Sequence, residues 1–186
     1  MNLHLSWDLF IIVFFSLVMT YSMIIGRNSS IKVLIVTYMA ILTADGLGNL
    51  FDQYLLPAAP SLQGESGVQA LILIKIAVFV LTILLLVIKG GFRVDMVPEK
   101  SMVSRVISTL TFGFLNSGLM VSTLLVYLTG DSFVSGALNS ALKTNLYAES
   151  ELVQVMIDNY NVWVAVPAIA LVIVSFIIML VKPDNL

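Results

Sequence analysis

Apolar residues fall into five long blocks along this chain, separated by shorter polar stretches. Leu9 to Ile25 is 17 mostly apolar residues, with Trp7 just before it, where an interfacial aromatic belongs. After a polar turn, Gly26 to Ser30, apolar character resumes at Ile31 and continues to about Leu55. Pro57 to Gly67 is rich in proline, glycine and serine and reads as a loop. Val68 to Ile88 is the third block, interrupted by Lys75, and a charged connector, Lys89 to Lys100, follows it. Ser101 to Leu128 has polar first turns and an apolar last dozen residues. Val162 to Val181 is 20 apolar residues with Trp163 and Lys182 at its ends and Pro167 inside. A proline there is tolerable, because neighbouring helices can satisfy the carbonyl it frees. Each block is near the ~20 residues a helix needs to cross ~30 Å of hydrocarbon. The pattern predicts an all-α polytopic bundle with five transmembrane helices over about 9–25, 31–55, 68–88, 103–128 and 162–181, in a single membrane domain covering 1–186.

Between the fourth and fifth blocks lies the longest stretch too polar to span, 129–160. Phe133, Ala137, Leu138 and Leu142, then Leu152, Val155 and Met156, recur at helical spacing. That is the pattern of one or two amphipathic helices lying on the bilayer surface, or of a cap over the bundle. The first block lacks the basic flank, short core and small-residue cleavage site of a secretory signal, and is read as a retained span.

Composition agrees with lipid as the solvent: 59% of the 186 residues are hydrophobic and 11% charged, where soluble domains carry about 25%. A net charge of −2 with no basic run offers nothing to nucleic acid. The absence of cysteine excludes disulfides and thiolate-bound metals, and the one histidine, His4, reads as interfacial rather than as a ligand. No cofactor is expected. The segments after the first, third and fifth spans carry Arg27, Lys32, Lys89, Arg93, Lys100, Arg105 and Lys182, while the N-terminus and the loops after the second and fourth spans carry only Lys143. The positive-inside rule then puts the N-terminus outside and the C-terminus in the cytoplasm. No internal repeat is visible, and five spans do not divide into an inverted pair.

Two charges stand well inside predicted spans, Asp45 and Lys75. A carboxylate at such depth costs about 2.5–3.5 kcal/mol on insertion scales, so it should face protein or trapped water. At ~1.5 Å per residue, Asp45 lies roughly 10–16 Å and Lys75 roughly 10 Å below the outer ends of consecutive antiparallel helices. Similar depth predicts an ion pair; the alternative has Lys75 snorkelling to the interface and Asp45 in a hydrated notch. Asn49 and Asn116 are further intramembrane polar candidates, the latter for an interhelical hydrogen bond. Ala40, Ala44 and Gly48 are spaced by four, as are Gly113 and Ser117, which predicts close helix packing within a subunit or along a seam between copies. No hydrolase elbow, zinc-protease motif or phosphate loop occurs, so no catalytic residues are assigned and the chain reads as a non-enzyme.

Two stretches carry a family resemblance. From Tyr21 to Leu55, a span ends in Gly26 and Arg27, a short turn follows, and a second span opens with a basic residue. From Arg105 to Leu128, an arginine leads into a helix with Gly113 and Gly118 before a long apolar run. Together they resemble the colicin V production (CvpA) family of bacterial inner-membrane proteins, with Ser104 where the family has an acid and a fifth span beyond its usual four. The resemblance implies an integral inner-membrane protein linked to colicin V or toxin production or export and to envelope physiology, without catalytic residues. A small transporter or channel subunit, with a polar path past Asp45, Lys75 and Asn49, is the competing class. The lipid bilayer, a second copy or a membrane complex are the partners either class implies.

Overall fold

The computed structural model describes residues 6–59, 64–90, 102–130, 132–133 and 150–181, with the backbone alone for residues 179–181. The described residues form six helices and no strand, and five of the helices are long and apolar enough to cross a membrane. The chain is an all-α helical bundle and reads as a multi-pass membrane protein.

Helix α1 (Trp7–Ile25) begins where the Ser6 hydroxyl accepts from the Leu9 N–H at 3.2 Å, with Asp8 in the first turn against the positive end of the helix dipole. It ends at Gly26, whose φ of 78° is open to glycine at little cost. The expected five-residue turn, Gly26 to Ser30, is therefore only one residue long: α2 starts at Arg27. The Ser30 hydroxyl holds the corner, donating to both Ser22 O and Gly26 O at 3.1 and 3.0 Å. Both carbonyls also accept a backbone N–H, Ser22 O from Gly26 at 3.1 Å and Gly26 O from Ser30 at 2.9 Å, so the hydroxyl adds a second bond at each.

Helix α2 (Arg27–Leu50) also runs further than its apolar block, through a π-helical turn (Phe51–Leu55) and a last α turn (Leu56–Ala58), 32 residues in all. The Leu56 N–H reaches back to Phe51 O, the five-residue step of a π register, immediately before Pro57. Proline lacks an N–H and crowds the carbonyl a turn behind it, so the wider register sits where α geometry is hardest to keep. The expected loop from Pro57 thus begins only after Ala58.

Helix α3 (Glu65–Lys89) follows, then α4 (Met102–Leu128), which ends at Thr129 and Gly130 with the Gly130 N–H on Tyr127 O at 2.9 Å. A short helix, α5 (Glu151–Asp158), is capped by Ser150, and α6 (Tyr160–Val181) contains Pro167. The Tyr38 hydroxyl on α2 donates to Val164 O at 2.5 Å, fixing α6 to α2 near that proline.

α4 is the centre. It packs against α1, α2, α5 and α6, while α3 lies mainly on α2. One core, between α2, α3 and α4, includes Leu34, Phe79, Leu119 and Tyr127; a second joins Ile11, Val121 and Leu125 to Val153, Met156 and Ile157 of α5. The inward face of α5 is thus Val153, Met156 and Ile157, with Leu152 and Val155 exposed on its other side. The Ser150 hydroxyl donates to the Asp8 carboxylate, tying the start of α5 to the start of α1. Ala137, Leu138, Leu142, His4, Arg93, Lys100, Lys143 and Lys182 lie outside the described residues.

Candidate functional site

Asp45 sits on the buried face of α2, in line with Ala44 and Ile41, and is fully enclosed. Lys75, ten residues into α3, is 2% exposed, and its Nζ lies 3.5 Å from Asp45 Oδ1. The pairing that equal depth predicts is therefore formed, and Lys75 does not snorkel away. Asp45 Oδ2 accepts a 2.8 Å hydrogen bond from the backbone N–H of Phe133, just past the end of α4. One carboxylate thereby joins three parts of the chain: α2, α3 and the turn after α4.

Sequence spacing explains the fit of the lysine. Gly48 lies three residues, nearly one turn, beyond Asp45 on the same face. A Cβ on Gly48 would come within 2.7 Å of Lys75 Cγ and Cε, so the missing side chain is the slot that admits the lysine stem. Ala44 and Ala40, one and two turns back, are fully buried and continue that small-residue face.

Around the ammonium stands an aromatic cluster that reading the sequence did not single out. The Tyr127 ring centroid is 5.8 Å from Lys75 Nζ, within the range of a cation–π contact. Phe79 and Phe133 meet the Tyr127 ring edge-on at 6.0 and 5.8 Å, and Tyr160 meets Phe133 at 6.0 Å. The Tyr127 hydroxyl donates to Ile41 O at 3.2 Å, one turn before Asp45. Nothing in the spacing of Phe79, Tyr127 and Phe133 distinguishes them from lipid-facing or belt aromatics. Only the arrangement of three chain segments brings them together.

Asn49 is at the rim, its Oδ1 3.5 Å from the Ser132 hydroxyl and its side chain only partly buried. Asn116 is elsewhere, on α4 facing α2, where the Thr37 hydroxyl is shared between Val33 O at 2.9 Å and Asn116 Oδ1 at 3.3 Å. That is the interhelical contact expected of Asn116; its Nδ2 is buried without a hydrogen-bond partner among the described residues. Gly113 serves the α1–α4 contact, where a Cβ would stand 3.0 Å from Ser22 Cβ, and Ser117 returns its hydroxyl to Gly113 O at 2.8 Å. Trp163, at one end of the fifth apolar block, covers Gly118: a Cβ there would overlap the indole, and Phe114 flanks it at 5.6 Å.

The arrangement is an enclosed ion pair: one carboxylate oxygen accepts from the Phe133 N–H, the other lies 3.5 Å from the ammonium without a hydrogen bond of its own among the described residues, and the ammonium stands near an aromatic face. Among the described residues no group of three or more acidic or histidine side chains is placed to hold a metal. Compared with models of known protein families, with curated proteins and with solved structures, the chain matches none.

Proposed function

We propose that this chain is a non-enzymatic membrane scaffold of the CvpA type, acting in colicin V or toxin production or export and in envelope physiology, with the Asp45–Lys75 pair as its internal clamp. The observation that carries the clamp is the complete enclosure of Asp45, with Lys75 at 3.5 Å and the Phe133 N–H at 2.8 Å. A group that moves protons or ions has to meet water on both sides of its cycle, whereas a clamp is best dry. The resemblance in Tyr21–Leu55 and Arg105–Leu128 supports the colicin V connection, and the basic segments support an inner-membrane topology with the N-terminus outside and the C-terminus in the cytoplasm.

A second reading, a small transporter or channel subunit, draws on the π-helical turn at Phe51–Leu55 and on Asn49 at the rim of the pair, since π turns inside helices recur at functional sites. Two experiments separate them. In proteoliposomes, the scaffold reading expects wild type and Asp45→Asn to pass ions and protons no faster than empty vesicles. Flux in the wild type that Asp45→Asn abolishes would establish transport instead. In bacteria that make colicin V but lack their own CvpA-family protein, the scaffold reading expects this chain to restore toxin release; a correctly inserted chain that restores none overturns the colicin V assignment.

A further inference from the structure

At one end of the bundle the last turn of α1 and the first turns of α4 enclose a groove of about 260 Å³, open along one side. Met23, Ile24, Met102 and Val106 form its apolar walls, Gly26 lies at its end, and Arg105 is the charged side chain on it. Ile24, Met102 and Val106 are exposed, as side chains in contact with lipid would be. α1 is 19 residues long, roughly 28 Å at 1.5 Å per residue, close to the ~30 Å of hydrocarbon. Its end at Ile25 therefore marks the level where acyl chains give way to phosphates, and Arg105 stands at that level.

Two other described cations at this end have protein partners: Lys32 donates to Gly90 O at 3.0 Å, and Arg27 Nε meets Asn28 Oδ1 at 3.5 Å; Lys89, at the end of α3, is exposed and lies outside the groove. Arg105 is exposed, and its side chain makes no hydrogen bond or ion pair among the described residues; only its backbone carbonyl is used, by Thr109. An unpaired guanidinium above an apolar trough matches one ligand in both halves, an acyl chain below and a phosphate-bearing head above. Guanidinium groups bind phosphate oxygens in a forked geometry, which adds orientation to charge.

We propose that this groove is a binding site for an anionic phospholipid, with one acyl chain along Met23, Ile24 and Val106 and the headgroup phosphate on Arg105. The test is native mass spectrometry of the whole protein released from nanodiscs of equal parts phosphatidylglycerol and phosphatidylcholine. The expected result is a retained lipid with about a fivefold preference for phosphatidylglycerol, the factor that one basic residue near an anionic surface contributes. Arg105→Gln should abolish the preference while Arg105→Lys keeps part of it, and Val106→Trp, which fills the trough without touching charge, should lower retention of both lipids. Lys89→Gln removes a cation at the end of α3 and should leave the preference unchanged. Equal retention of the two lipids by the wild type would overturn the site. So would an equal loss of preference in Lys89→Gln and Arg105→Gln, which would assign the effect to general surface charge.

Discussion

α2 and α4 are the two least apolar of the five spanning helices, yet they are the two most enclosed. Over their most apolar windows 56% and 83% of residues are buried, against 11%, 11% and 6% for α1, α3 and α6. A water-soluble fold sorts its helices the other way, because burial of apolar surface drives it. Lipid offers an apolar side chain as good a neighbour as protein does, so the polar and small residues decide which helices go inside. Asp45, Thr37 and Gly48 on α2, and Asn116, Ser117 and Gly118 on α4, are what the outer three helices surround.

The sharpest way to break this contrast is to remove one charge from the interior. Asp45→Asn keeps the shape and an acceptor for the Phe133 N–H but leaves Lys75 buried without its counter-ion. Removing one partner of a buried pair costs about 3–5 kcal/mol, whereas exchanging both for groups of similar volume is often close to neutral. Unfolding in mixed detergent micelles should therefore show a large loss for Asp45→Asn and recovery of most of it in Asp45→Asn with Lys75→Met. A double variant as unstable as the single one would mean that the pair is not what holds α2 to α3.

Next in size are the glycines. Gly118→Ala drives a methyl into the Trp163 indole between α4 and α6, and overpacking of this kind costs about 1–3 kcal/mol. Gly46→Ala, on the exposed side of α2 with nothing within 4 Å of the new carbon, should instead be neutral or stabilise by about 0.5–1 kcal/mol, the helix preference of alanine over glycine. Thermal unfolding in detergent would measure both. The same substitution with opposite signs would place the interior on α4 independently of any charge.

Much of this was legible in the sequence because it depends on length and spacing. Five apolar blocks near 20 residues dictate five spans, and equal depth on antiparallel neighbours brings Asp45 to Lys75. The small residues Ala40, Ala44 and Gly48 mark the packed face of α2. What was not legible depends on three-dimensional return of the chain. The Phe133 N–H is a backbone group that every residue but proline has, so no side-chain pattern marks it as the partner of Asp45. Trp163 stands at one end of an apolar block, and only the approach of α6 to Gly118 makes it a packing residue. The boundary at Gly26 moved because a single residue at positive φ is enough to end one helix and begin the next, and the one at Pro57 because a π-helical turn just before the proline lets the helix continue to Ala58.

A smaller effect belongs to Tyr127. Tyr127→Phe retains the ring against Lys75 and Phe79 but loses the 3.2 Å hydrogen bond to Ile41 O. Hydrogen bonds between membrane helices contribute on average about 0.6 kcal/mol, because the separated helices also find partners. Equilibrium unfolding should show a loss of that order. A loss comparable to that of Asp45→Asn would mean that the hydroxyl, rather than the ion pair, organises the centre.

The smallest effect is expected on the lipid face, and it sharpens the contrast because it separates two measurements that agree in a soluble protein. Leu84 on α3 is 51% exposed and faces outward. In Leu84→Ala, the lost contacts were with lipid both in the assembled bundle and in a separated but still inserted α3, so dissociation of the helices within the membrane should change by less than about 0.5 kcal/mol, as at other sites away from packed features. Entry of α3 into the membrane is a different equilibrium, in which leucine contributes about 0.3–0.6 kcal/mol at the helix centre, so an insertion assay should register a loss of a few tenths. A bundle stability that fell by 2 kcal/mol or more, the scale of a buried Leu→Ala change, would show that Leu84 is covered by protein, and α3 would then belong with α2 and α4 rather than with the outer helices.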